Sequence, residues 1–151
     1  MARLGDVTTI TPQASPERLR AAGLRVTVQR VAVLDALAVR PHASAETVFS
    51  ALREELSGVA LPTVHGILGD LTGAGLVRRV SLPDAGSALY EVQDAFDNHH
   101  HLQCIECGRV EDVACAVGEA PCLHPSHDHG MRILEASVTY RAICSDCERK
   151  K

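Results

Sequence analysis

Apolar residues recur at helical spacing through the first half of the chain and at strand-like spacing through much of the second. Residues 16–22 suit a short helix that stops at Gly23. A second helix is predicted from an N-cap at Thr27 through Val39, with Val31, Leu34 and Leu37 or Ala38 in one stripe. Pro41 ends it. Ser44 caps a third helix, where Ala45, Val48, Phe49, Leu52 and Leu56 share one buried face. Pro62 opens a fourth, because its missing N–H costs little in a first helical turn. Val64, Ile67, Leu68 and Leu71 form that helix's inner stripe, and Gly75 ends it. Residues 76–82 and 87–92 read as two strands joined by the turn chemistry of Pro83-Asp84-Ala85-Gly86. Helices followed by a hairpin describe a winged helix-turn-helix. A small helical domain with a hairpin and no DNA role fits the same pattern.

Residues 93–98 turn polar, as a hinge would. Strands are predicted at 99–105 and 109–113 around a Cys-x-x-Cys turn, and another at 133–143. Gly118, Pro121 and Pro125 interrupt any long helix over 114–130. The expected fold is therefore α+β: a loose tail at 1–15, a winged-helix DNA-binding domain at 16–92, a hinge at 93–98, and a small α/β domain at 99–151.

Composition adds little to the first half and much to the second. Hydrophobic residues make up 46% of the chain, enough for a core, but aromatics only 3%, so Leu, Val, Ala and Ile must fill it. No apolar run approaches the roughly 20 residues of a membrane helix, and residues 1–15 lack a secretory signal, so a cytoplasmic protein is expected. Residues 1–92 carry nine Arg and nine acidic residues, so charge alone does not argue for DNA there. Residues 93–151 net to −4 and hold six of the eight His and all six Cys, a composition suited to cations.

Cys104-Ile-Glu-Cys107-Gly108 and Cys144-Ser-Asp-Cys147 are two Cys-x-x-Cys pairs. That spacing lets both thiolates of a pair face one ion, and two pairs complete the S4 tetrahedron of structural Zn2+. Two disulfides or two redox pairs are the other readings; the expected compartment favours zinc. Before the first pair stands His99-His100-His101. In a strand, His99 and His101 face one side and His100 the other. Asp112 falls on the expected neighbouring strand, so His99, His101 and Asp112 could share an ion such as Fe2+, Mn2+, Zn2+ or Ni2+. A solvated polar strand end accounts for three adjacent His equally simply. Cys115 and Cys122, with His124, His127 and His129, could form an additional metal or redox site, or be buried thiols beside a polar loop.

Taken together, these segments resemble the ferric uptake regulator family over nearly the whole chain. The resemblance is carried by Gly23-Leu-Arg-Val-Thr-Val-Gln-Arg30, Pro62-Thr-Val64, Gly75-Leu-Val77, the run from His99 to Gly108, and Cys144-Ser-Asp-Cys147. It looks closest to the actinobacterial branch that represses catalase or catalase-peroxidase genes. The resemblance implies a homodimeric repressor that binds double-stranded operator DNA when its regulatory metal is bound. By position it implies structural zinc at Cys104, Cys107, Cys144 and Cys147, and a regulatory ion, Fe2+ or Mn2+, at His42, Glu91, His99, His101 and Asp112. A further family metal site is degraded: Glu119 survives, but His100, Asn98 and Ala136 replace its other ligands. Family members often carry Tyr and Arg in the recognition helix where this chain has His65 and Gly66.

The expected DNA contacts are Thr63, His65 and Gly66, which lie off the apolar stripe of the fourth helix, with Arg25 on phosphate or in the minor groove and Arg78 and Arg79 on phosphate. Asp112 favours a peroxide-responsive protein, since relatives with Asp there tend to be the peroxide-responsive ones. A zinc- or nickel-responsive uptake repressor of the same fold is the sibling reading. A zinc-dependent enzyme is the reading from another class, though no nucleophile, general base or His-Glu-x-x-His motif supports catalysis.

Overall fold

A computed structural model describes residues 14–83, 85–93, 99–114, 127–132 and 138–150. Helix α1 spans Ser15–Ala21, with Pro16 in its first turn. It closes on Gly23 at φ +73°, where the Gly23 and Leu24 amides donate to the carbonyls of Arg20 and Leu19. That left-handed position is one a glycine takes without Cβ strain. Helix α2 spans Val28–Val39, and the Thr27 hydroxyl accepts from the Arg30 amide, as its N-cap role requires. Helix α3 spans Ala45–Leu52 behind Ser44, whose Oγ accepts from the Thr47 amide. Helix α4 spans Leu61–Gly73, one residue ahead of Pro62, and closes on Gly75 in the same left-handed manner.

Strands β2 (Val77–Val80) and β3 (Leu89–Val92) form the hairpin, both shorter than the sequence pattern suggests. A two-residue strand, β1 (Ala43–Ser44), pairs with β3 and gives the sheet order β1-β3-β2. No periodicity can announce an element of that length. The buried apolar cluster runs from Leu19 to Val77 and takes in the predicted stripes: Leu34 and Leu37 of α2, Ala45, Val48 and Leu52 of α3, and Val64, Ile67, Leu68 and Leu71 of α4. Phe49 and Leu56 pack on its edge. These helices and the three-stranded wing make the winged-helix half of the α+β fold.

The second sheet has the order β5-β4-β6. Strand β4 (His99–Cys104) runs antiparallel to β5 (Val110–Ala114) and parallel to β6 (Thr139–Ala142), and the short helix α5 (Ser145–Glu148) follows. Among the described residues, β4 buries His100, His101, Gln103 and Cys104 rather than an aliphatic stripe. Parts of several expected features fall outside the described residues: the tail up to 13, the hinge at 94–98, Cys115, Cys122, Glu119, His124, Ala136 and the first part of the strand expected over 133–143.

Candidate metal centres and nucleic-acid face

The wing and the second sheet meet at one polar pocket. His42 immediately precedes β1, and Ala43 of β1 lies opposite Tyr90 of β3, which places His42 beside Glu91. Pro41 is followed by His42 at φ +59°, a left-handed turn that swings the imidazole off the end of α2. Such a conformation is uncommon for a non-glycine residue and clusters at functional sites. His99 and His101 alternate onto the same side of β4, and His101 lies in register with Asp112 of β5. The structure thus brings His42, Glu91, His99, His101 and Asp112 together, one ligand atom of each lying within 4.8 Å of all the others. His42 Nε2 is 2.9 Å from both Glu91 Oε2 and Asp112 Oδ1. His101 Nε2 is 3.1 Å from Glu91 Oε2, and His99 Nε2 is 3.4 Å from Asp112 Oδ1.

Burial works against charge here, yet partners overcome it. Glu91 is 2% exposed, and desolvation alone would raise its carboxyl; His101, His42 and Arg78 instead hold it far below the usual carboxylate range. Burial likewise opposes protonation of His42, but the carboxylates of Glu91 and Asp112 raise its pKa. Despite these close approaches, His42 Nε2 is buried and makes no aligned hydrogen bond. A nitrogen aimed at a shared centre, rather than at one oxygen, is the arrangement a cation needs. Asp112 is the open edge of the pocket, its side chain 41% accessible against 11% or less for the three His and Glu91.

Arg78, expected on phosphate like Arg79, has its guanidinium at this pocket. Neighbours in a strand face opposite sides, and Arg78 lies in register with Glu91 across the hairpin. Its guanidinium donates to Glu91 Oε1 through Nε at 2.7 Å and also through Nη2, and Nη2 lies 3.0 Å from His99 Nε2. Arg78 is therefore part of the pocket, a role that strand alternation against Arg79 and pairing with Glu91 could have signalled.

The second cluster gathers Cys104, Cys107, Cys144 and Cys147, with their Sγ atoms within 4.8 Å of one another. The β4–β5 turn supplies the first pair: the Cys104 carbonyl accepts from Gly108, and the Cys104 amide donates to Arg109. The end of β6 and the start of α5 supply the second. All four are free cysteines, not disulfides. Amide donors from Cys144, Cys107 and Glu106 bring the Cys104 thiol down to about 6, while its sulfur neighbours push Cys147 up to about 12. The cluster thus favours one thiolate and resists the last; a bound dication offsets that mutual repulsion.

Of the other expected DNA contacts, His65, Gly66, Arg25 and Arg79 are exposed, and Thr63 is half-buried at the start of α4. Arg30 fixes the segment bearing Arg25 by donating to its carbonyl at 3.0 Å, and ties α2 to α4 through Asp70 at 2.6 Å. His100 faces away from the metal pocket towards Tyr140, 6.4 Å between ring centres. His127 and His129 stack on each other at 4.7 Å; Cys115 and Cys122 lie outside the described residues.

A winged helix joined to a four-cysteine cluster and a histidine–carboxylate pocket defines a metal-responsive transcriptional regulator. The ferric uptake regulator family model matches residues 21–141, and the chain belongs to that family. It is 50% identical over 131 residues to the transcriptional regulator FurA of Mycobacterium tuberculosis, covering 87% of this chain and 88% of that one. It is 49% identical over 124 residues to the ferric uptake regulation protein 1 of Mycolicibacterium fortuitum, covering 82% and 76%. The ferric uptake regulator of Pseudomonas aeruginosa, solved with manganese, superposes with a TM-score of 0.64 at 28% identity, covering 88% of this chain and 99% of that one. No described helix is long and apolar enough to cross a membrane.

Proposed function

We propose that this protein is a homodimeric repressor of oxidative-stress genes, such as one for a catalase-peroxidase, that binds operator DNA when Fe2+ occupies the histidine–carboxylate pocket and lets go when peroxide damages that pocket. The observation that carries the reading is the mixed donor set of His42, Glu91, His99, His101 and Asp112, drawn from the wing side and the second sheet at once. One ion held there fixes the angle between the two halves, a two-state element biased by ligand. The four cysteines suit structural Zn2+. The 50% identity to proteins named FurA supports iron as the regulatory metal, with Mn2+ as an alternative occupant.

Imidazoles and carboxylates, unlike four thiolates, suit Fe2+, which when bound supplies one-electron reduction of peroxide. Asp112 leaves one edge of the pocket open to a molecule as small as hydrogen peroxide. His42 and His99 present their rings to the same centre, so a ring carbon gains one oxygen atom from peroxide and the second leaves as water. An oxidised imidazole binds metal poorly, and the two halves come apart. Mass spectrometry of iron-loaded protein after a brief peroxide dose tests this. One added oxygen on a peptide carrying His42 or His99, absent from the Mn2+-loaded form, is expected. Loss of DNA binding with both peptides unmodified and zinc released would refute it in favour of thiol oxidation. Metal analysis of protein purified without oxygen separates iron from the zinc- or nickel-responsive reading.

A further inference from the structure

We infer that Arg78 is a tethered competitor of the regulatory metal, occupying through His99 and Glu91 the donor atoms that an ion must take. The inference rests on the metal reading of the pocket. A guanidinium has five N–H donors and no acceptor. Because the guanidinium can only donate, the 3.0 Å approach of Nη2 to His99 Nε2 is a hydrogen bond in the His99 tautomer that carries its proton on Nδ1. His99 Nε2 is the ring nitrogen turned into the pocket, 3.3 Å from Glu91 Oε1 and 3.4 Å from Asp112 Oδ1. An sp2 nitrogen has a single in-plane lone pair, so it serves either the guanidinium or a cation.

The same guanidinium takes Glu91 Oε1 through two donors. Glu91 Oε2 is the oxygen that meets His42 at 2.9 Å and His101 at 3.1 Å. Arg78 thereby divides the pocket. His42, His101, Asp112 and Oε2 can receive an ion directly, whereas His99 and Oε1 can join only after the guanidinium moves. Its charge acts in the same direction, offsetting one of the two carboxylates that attract a dication. The arginine therefore sets the metal concentration at which the fifth ligand engages, and engagement shifts a side chain of the wing strand β2.

The test compares full-length, zinc-containing wild type with Arg78→Met, which keeps an unbranched apolar stem without donors, and with Arg79→Met as control. Mn2+ affinity is read by the paramagnetic resonance of free ion. Arg78→Met should bind Mn2+ about tenfold tighter or more, consistent with loss of a competing charged hydrogen bond, and Arg79→Met should match wild type. In wild type, the Arg78 Nε–H resonance should shift and lose exchange protection as Zn2+ is titrated beyond the equivalent held by the cysteines. That second measurement needs no variant and is not moved by a merely structural role. Equal or weaker Mn2+ binding by folded Arg78→Met, or an Arg78 resonance unchanged at saturation, would overturn the inference alone. Wild type with no Mn2+ uptake that depends on His101 would remove the metal reading as well.

Discussion

Replacing Glu91 with Ala tests the pocket at its most buried point. The carboxylate accepts two hydrogen bonds from Arg78 and lies within 3.3 Å of His42, His99 and His101. Removing one partner of a buried ion pair costs about 3–5 kcal/mol, because the other charge is left uncompensated. The Arg78 side chain is 24% accessible, so water recovers part of that loss. The lower end of the range applies, about 3 kcal/mol. For a chain of this size each kcal/mol moves the melting temperature by roughly 2–4 °C, so metal-free Glu91→Ala should melt roughly 6–12 °C below wild type. Mn2+ at a hundred times its dissociation constant should add about 2.7 kcal/mol to wild type and much less to the variant. Thermal unfolding followed by circular dichroism, with chelator and with Mn2+, reads both effects. The acid limb gives an independent check. The Glu91 carboxyl is held below its ordinary 4.5 in the folded protein. Its stabilisation is full above that value and fades as pH falls towards the folded pKa, so the gap between wild type and variant narrows in acid. Adding Arg78→Met should restore part of the metal-free loss by removing the orphaned cation. A metal-free variant within about 0.5 kcal/mol of wild type, the range of ordinary surface substitutions, would refute the account of Glu91 as the pocket's electrostatic centre.

Three further outcomes are expected. Cys104→Ser should lose one zinc, dissociate the dimer and unfold the second sheet, read by metal analysis and sedimentation; a stable zinc-free dimer would remove the structural-zinc assignment. Arg25→Ala should weaken operator binding and flatten its salt dependence, since each phosphate contact releases counterion; unchanged binding at every salt concentration would exclude that docking. Gly69 sits on the exposed side of α4, and a Cβ there meets no atom within 4 Å. Gly69→Ala should therefore stabilise the helix by up to about 1 kcal/mol, seen as a higher melting temperature with unaltered Mn2+ affinity.

Much of the winged-helix half was legible because its signals are local. Caps at Thr27 and Ser44 and the stripe of Val64, Ile67, Leu68 and Leu71 depend only on near neighbours in the chain. The cysteine cluster was legible for a related reason: a two-residue spacing brings thiols to one side of a turn wherever it occurs. What local pattern does not carry is partnership across the chain. His42 and Glu91 are separated by four elements, and only the resemblance to a family proposed them as companions. The strand that aligns them, β1, is two residues long and leaves no periodic trace.

Arg78 marks the same boundary from the other side. Residues 78 and 79 are chemically identical, so composition and motif treat them alike. Strand geometry does not: one arginine turns to Glu91 and the other to solvent. Which of the pair faces inward depends on hairpin register, and a slip of one residue would exchange them. That slip would place Arg78 on the outer face and send Arg79 towards the buried carboxylate, while moving Val77 off the core in which it packs. Burial of Val77 therefore selects the arginine that meets the metal ligands. Packing of the wing and the electrostatics of the pocket are coupled through register, so a change at Val77 acts on the metal site without touching it.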